Sequence, residues 1–210
     1  MVQAILWDCD GVLVDSELLC QQGWVDVLQS RGHDVGVPAF VQRFVGHSSH
    51  QVLEHLGLPA ETHAEVRSRI YALFREHLQA SSGVHEVLSE LRHLKHAVAS
   101  NASMMSLNLE LELTDLASFF SGHVYSAQDT GKGKPAPDIF LHAARQLGVS
   151  PEVCLVIEDS TPGVLAGCAA GMQVLGYAGG SHCTEGHAAQ LLQAGAKTVM
   201  TDLRELKQLL

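Results

Sequence analysis

The chain has 210 residues, 46% hydrophobic and 17% charged, with a formal net charge of −10 at pH 7. That length suits one domain carrying a large insertion, and no apolar stretch is long enough for a membrane span. The acidic balance argues against a nucleic-acid partner, because binding that backbone needs a basic surface that releases counterions; a small anion is admissible where local positive charge or a metal receives it.

The first element expected is a buried strand over residues 2–7, which runs directly into Asp8-Cys9-Asp10-Gly11. Residues 16–82 then show no strand pattern. Apolar residues recur there at helical spacing, as in Leu19, Trp24, Val27 and Leu28, and again in Val66, Ile70, Leu73 and Phe74. This stretch reads as an all-helical insertion closed by the turn-like Ser81-Ser82-Gly83. Beyond it, strand-like runs at 96–99, 123–126, 153–157, 173–177 and 198–200 alternate with helix-period segments at 85–94, 103–113, 137–147 and 161–170. Such alternation predicts an α/β fold, a parallel sheet covered on both faces. Gly131-Lys132-Gly133-Lys134-Pro135 lacks the spacing of a nucleotide phosphate loop and leads into Pro-Ala-Pro rather than a helix start with a metal-binding hydroxyl.

Five cysteines without a CxxC pair read as reduced thiols, neither a disulfide framework nor a zinc site, and thirteen histidines spread along the chain read as mostly surface residues. The opening residues carry no basic segment followed by an apolar stretch and a cleavage site, so the expected location is cytoplasmic. Monomer is the default assembly.

In an open parallel sheet, ligands bind beyond the carboxyl ends of the strands, so the residues that follow each strand form a functional test. The first strand ends in Asp8 and Asp10, the second in Ser100-Asn101, the third leads to Lys134 before a helix, and the fourth ends in Glu158-Asp159-Ser160. Two carboxylates about 4 Å apart repel by roughly 1 kcal/mol in water and about 4 kcal/mol at an effective dielectric of 20, so a buried cluster needs a divalent ion or protons. Asp8 and Asp159, with Glu158 nearby, offer the hard oxygen ligands of magnesium. The two-residue spacing lets Asp8 and Asp10 address one ligand, with Gly11 turning the chain away. Asp8 suits nucleophilic attack on phosphorus, and Asp10 suits proton transfer to the leaving oxygen and later activation of water. Ser100 and the amide of Asn101 can hydrogen-bond a phosphoryl group, and Lys134 can neutralise its growing charge. Ser103 and Ser160 read as plain helix caps.

Together, "WDCDGVLVDSE", "VASNAS", "GKGKPAPDIF" and "VIEDSTPGVLAGCAAGM" resemble the four motifs of the haloacid dehalogenase-like superfamily, in particular its phosphoglycolate phosphatase and beta-phosphoglucomutase-like branch. The resemblance covers nearly all of the chain outside the insertion. It implies a Rossmann-like core, residues 1–15 and 82–210, with a helical cap domain at 16–81 that opens and closes through hinges near 14–16 and 80–83. It also implies a magnesium-dependent phosphatase in which Asp8 is the phosphoryl-accepting nucleophile, forming an aspartyl-phosphate, and Asp10 the general acid/base. Asp8, the Asp10 carbonyl and Asp159 would hold the metal, supported by Glu158; Ser100, Asn101 and Lys134 would bind phosphate. An aspartate at position 10 disfavours a true dehalogenase. The mutase members use a cap histidine and a cap arginine where this chain aligns Cys20 and Ser49, which favours hydrolysis over a sugar phosphomutase. "FVGHSSHQVL" resembles the cap substrate loop, so Gly46, His47, Ser49 and His50 join Cys20 as candidate substrate contacts. The expected partner is a small phosphorylated metabolite, a sugar phosphate or sugar acid. A phospho-acceptor signalling module is the reading from another class, set aside because a second acid follows the first-strand aspartate and a helical insertion follows both.

Overall fold

The computed structural model describes residues 1–44 and 49–210, and the chain divides into two compact units, Met1–Asp15 with Gln79–Leu210, and Ser16–Leu78. Strands β1 (Ala4–Trp7), β2 (Lys95–Ser100), β3 (Val124–Ser126), β4 (Cys154–Glu158), β5 (Gln173–Tyr177) and β6 (Val199–Met200) form one sheet in the order β3-β2-β1-β4-β5-β6. Every pairing is parallel. Helices α1 (Glu17–Ser30), α2 (Val37–Phe44), α3 (Ser49–Leu56) and α4 (Thr62–His77) make the second unit. In the first lie α5 (Val84–Glu90), α6 (Met104–Leu113), α7 (Ala127–Thr130), α8 (Asp138–Leu147), α9 (Thr161–Ala169), α10 (His187–Ala194) and α11 (Leu206–Leu209). Among the described residues no helix is long and apolar enough to cross a membrane.

The sequence Ala-Ile-Leu-Trp makes β1 the middle of this sheet because it offers apolar side chains to both faces, and all four residues are buried. Ala4 and Leu6 join Ala97, Ala99, Phe140, Val156, Val164 and Val174 in one core cluster, which draws on α8 and α9. By the two-residue period Ile5 and Trp7 face the other way. Burial of each large side chain contributes roughly 1.5–3 kcal/mol, which outweighs the modest propensity of any single residue. The register aligns Trp7 with Val98 of β2 and Ile157 of β4, so the residues just beyond β1, β2 and β4 emerge at one end of the sheet.

The helix starts follow their caps. Ser103 accepts from the Ser106 amide at the start of α6, and Ser160 accepts from Gly163 at the start of α9, as their spacing predicts. The expected helix at 85–94 is shorter, ending at Glu90; residues 91–93 turn into β2. The second unit has its own core, in which Trp24, Val27 and Leu28 of α1 meet Phe40, Phe44, Val52, Leu53 and Val66. The chain leaves and rejoins the first unit side by side, with the Asp15 amide donating to the Gln79 carbonyl at 3.0 Å and Val14 bridging Ala80.

His96 departs from the surface expectation for histidines. It is buried, accepts from Trp7 Nε1 at Nδ1 (3.0 Å) and donates from Nε2 to the Leu91 carbonyl (2.9 Å). Burial holds its pKa below the ordinary imidazole value, against the raising effect of the Leu91 bond. Protonation therefore favours the unfolded chain: this contribution to stability is full above about pH 6.5 and is lost as pH falls through the lowered folded pKa. His96→Leu, which strands the Trp7 donor, is expected to cost about 1–3 kcal/mol at neutral pH and to flatten the decline in stability below pH 6.5. Urea unfolding of both proteins across pH 5–8 measures both effects.

Candidate active site

Asp8 follows β1, Ser100 closes β2, and Glu158 closes β4 with Asp159 after it, so strand order and register bring these residues to one end of the sheet. Lys134 reaches them from the segment before α8. Its Nζ donates to Asp8 Oδ1 at 2.6 Å and also to Glu158 Oε1. All four of Asp8, Lys134, Glu158 and Asp159 are buried. Ligand atoms of Asp8, Glu158 and Asp159 lie within 4.8 Å of one another, a spacing at which one cation can engage all three.

The electrostatics follow from that crowding. Burial and then the Glu158 charge push the Asp8 carboxyl well above its ordinary range, and Lys134 only partly opposes them. Burial presses Lys134 toward neutrality, but Asp8 and Glu158 together outweigh it and hold the ammonium more firmly protonated than usual. One lysine against three buried carboxylates leaves an excess of negative charge. The donor set, hard oxygens at short range, therefore fits a divalent metal of the magnesium type.

Two glycines make room for this geometry. A Cβ on Gly11, at φ +75°, would overlap the Asp159 carboxylate, and one on Gly163 would overlap that of Glu158. Glu158 is further fixed by Ser160, whose amide (3.0 Å) and hydroxyl (2.9 Å) both donate to Oε2. Ser160 is thus a cap that also orients an acid. Ser100 Oγ accepts from the Ala102 amide at 3.0 Å, and accepting leaves its own O–H available to donate. The Asn101 side chain clasps Lys134, with Oδ1 accepting from the lysine amide at 2.8 Å and Nδ2 donating to its carbonyl at 3.2 Å.

The structure thus brings Asp8, Lys134, Glu158 and Asp159 together and ties Asn101 to the lysine. Asp10 lies two residues after Asp8 in the turn at 9–14, where the amides of Val12, Leu13 and Val14 point at the Cys9 carbonyl. Cys20, Ser49 and His50 belong to the helical unit, and Gly46 and His47 lie outside the described residues.

Sequence reasoning missed Glu110. It is buried on α6, accepts from Cys9 Sγ at 3.2 Å and from Ser106 Oγ at 2.6 Å, and carries a pKa raised to about 8 by burial and then by the Asp10 charge. Its setting, Leu-Asn-Leu-Glu-Leu-Glu-Leu, reads as an ordinary helix with glutamates outward. Also missed are His182, with Nε2 2.9 Å from Asp159 Oδ2, and His187, whose Nε2 donates to the Asp159 carbonyl at 2.7 Å.

Comparison with known proteins identifies the family. Residues 2–171 match the haloacid dehalogenase-like hydrolase family. The 6-phosphogluconate phosphatase of Escherichia coli K12 is 29% identical over 215 residues, covering 99% of this chain and 94% of its own. A phosphorylated carbohydrates phosphatase of Thermotoga maritima is 31% identical over 209 residues, covering 93% and 92%. Among solved structures, a hydrolase of the same family from Deinococcus radiodurans R1, with bound phosphate and sodium, superposes with a TM-score of 0.83 at 34% identity, over 99% of this chain and 94% of that one. The chain belongs to the haloacid dehalogenase-like hydrolases.

Glu110 gives a test of the site's electrostatics. Because its folded pKa lies above the ordinary 4.5, its contribution to stability is full below about pH 4.5 and is lost as pH rises through about 8. Glu110→Gln keeps a neutral amide in place of the protonated acid. In chelator, its urea midpoint relative to wild type is expected to rise between pH 5 and pH 8.5. A constant difference would mean that Glu110 does not hold its proton.

Proposed function

We propose that the protein is a phosphoric monoester hydrolase that cleaves a small phosphorylated sugar or sugar acid through an aspartyl-phosphate on Asp8. The observation that carries this reading is the Lys134 bridge between Asp8 and Glu158, with Asp159 beside them. A buried lysine that fixes one oxygen of a strand-end aspartate both orients the nucleophile and stands where negative charge gathers on a transferring phosphoryl group.

In this reaction Asp8 attacks phosphorus, and the bond from phosphorus to the leaving oxygen breaks. Asp10 gives that oxygen its proton. The alcohol departs, and Asp10, now a carboxylate, takes a proton from water, which attacks the phosphorus of the aspartyl-phosphate. Inorganic phosphate leaves and Asp8 is restored. Ser100 and the Asn101 amide hold the phosphoryl oxygens, while the Asn101 side chain keeps the Lys134 backbone in place. Asp8, the Asp10 carbonyl and Asp159, with Glu158 beside them, would hold magnesium, which supplies positive charge against the carboxylates and the phosphoryl group.

The helical unit is read as a cap that selects substrate, with Cys20, Ser49, His50, Gly46 and His47 as the residues to test. The names of the relatives support a sugar or sugar-acid phosphate: one is a 6-phosphogluconate phosphatase and another a phosphorylated carbohydrates phosphatase. Cys20 and Ser49 in place of the mutase histidine and arginine favour hydrolysis.

Phosphate release from sugar phosphates, 6-phosphogluconate and nucleotides, with magnesium and with chelator, tests the proposal. Wild type is expected to release phosphate only with the metal. Asp8→Asn is expected to lower turnover by about 10³-fold or more while leaving thermal unfolding intact. Isomerisation without phosphate release would replace the hydrolase with a mutase, and retained turnover in Asp8→Asn would remove the proposed nucleophile.

A further inference from the structure

Outside the carboxylate cluster, a second group of metal-binding side chains gathers where the segment after β5 enters α10. His182, Cys183 and His187 each place a ligand atom within 4.8 Å of the other two. From these positions we propose a binding site for a thiophilic divalent ion, zinc by the chemistry of its donors, built from two imidazoles and one thiolate beside Asp159.

Three observations carry it. Cys183 Sγ lies 3.5 Å from His182 Nε2. Around a tetrahedral zinc, with bonds of about 2.3 Å to sulfur and about 2.0–2.1 Å to nitrogen, ligand atoms are spaced about 3.3–3.7 Å apart. That edge of the site is therefore already set, and the remaining distance closes by a shift of about an ångström. His187 Nε2 donates to the Asp159 backbone carbonyl at 2.7 Å, the type of outer hydrogen bond that fixes a ligating imidazole and leaves its other nitrogen with a lone pair. Finally, His182 Nε2 stands 2.9 Å from Asp159 Oδ2, so the same acid that anchors His187 through its carbonyl also borders His182.

The donor set separates this site from the neighbouring one. Imidazole and thiolate prefer zinc and related ions, whereas Asp8, Glu158 and Asp159 offer the oxygens that magnesium takes. On binding, the Cys183 thiol gives its proton to solvent and the sulfur bonds the metal. The cysteine pattern along the sequence argued against a zinc site; the fold supplies what spacing lacks, because the two histidines flank the cysteine in one short segment held against Asp159. If Asp159 serves the phosphatase as proposed above, zinc drawn to the same residue opposes that activity.

Cobalt(II), which reports its ligands by colour, is the probe. The full chain is stripped with chelator, dialysed into excess magnesium and titrated with cobalt, then with zinc. The expected result is one bound cobalt with an intense thiolate-to-metal band in the near ultraviolet, bleached by zinc. Cys183→Ala should lose the band and weaken cobalt binding at least tenfold, and Cys183→Ser gives the same reading should the alanine variant fail to fold. No cobalt bound, binding without the thiolate band, or a band that survives substitution of Cys183 overturns the site. A Cys183-dependent band in a chain that releases no phosphate from any substrate upholds the site while removing the phosphatase reading.

Discussion

The repulsion among Asp8, Glu158 and Asp159 is the constraint on which the rest of this molecule turns. Three acids buried at adjacent strand ends are unstable alone, and Lys134 answers only part of their charge. The surrounding structure can be read as a set of responses to that cluster. Ser160 donates twice to Glu158, and Asn101 fixes the backbone of the lysine. Gly11 and Gly163 give up their side chains so that the carboxylates can approach. Burial of the acids and the lysine sharpens each of these interactions.

The sheet was legible because its strands are buried on both faces, which writes them as unbroken apolar runs such as Ala4–Trp7. Their parallel pairing followed from the alternation with helices, whereas their order, β3-β2-β1-β4-β5-β6, is not legible from that alternation. The acids and the lysine were legible for a related reason: each stands immediately after a strand, where chemistry concentrates in such folds. Ser103 and Ser160 announced the starts of their helices, although the second role of Ser160, orienting Glu158, depends on a side-chain contact that spacing does not show.

What stayed hidden depends on contacts between distant segments. Glu110 lies 101 residues from Cys9, and its sequence neighbours are those of a solvated helix face; only packing reveals a buried carboxyl, its pKa raised by that burial, bonded to the residue after Asp8. His96 looked like one more surface histidine, yet Trp7 and the Leu91 carbonyl satisfy both of its nitrogens inside the core. The Asn101 clasp spans 33 residues and uses the side chain, where sequence logic had given work only to the amide. The segment 181–187 carried no motif, and its histidines gain meaning from Asp159, on a different strand end.

The joined path of the chain at Asp15 and Gln79 has a further consequence. Since the two crossings are hydrogen-bonded neighbours, residues 16–78 form a closed excursion whose ends are pinned before any of its helices is specified. The entropy of closing such an excursion grows only with the logarithm of its length. The first unit therefore tolerates excursions of many sizes at this point, at little added closure cost and without a change at the strand ends. Modularity of this kind is a property of one backbone hydrogen bond and its neighbouring bridge, rather than of either unit as a whole.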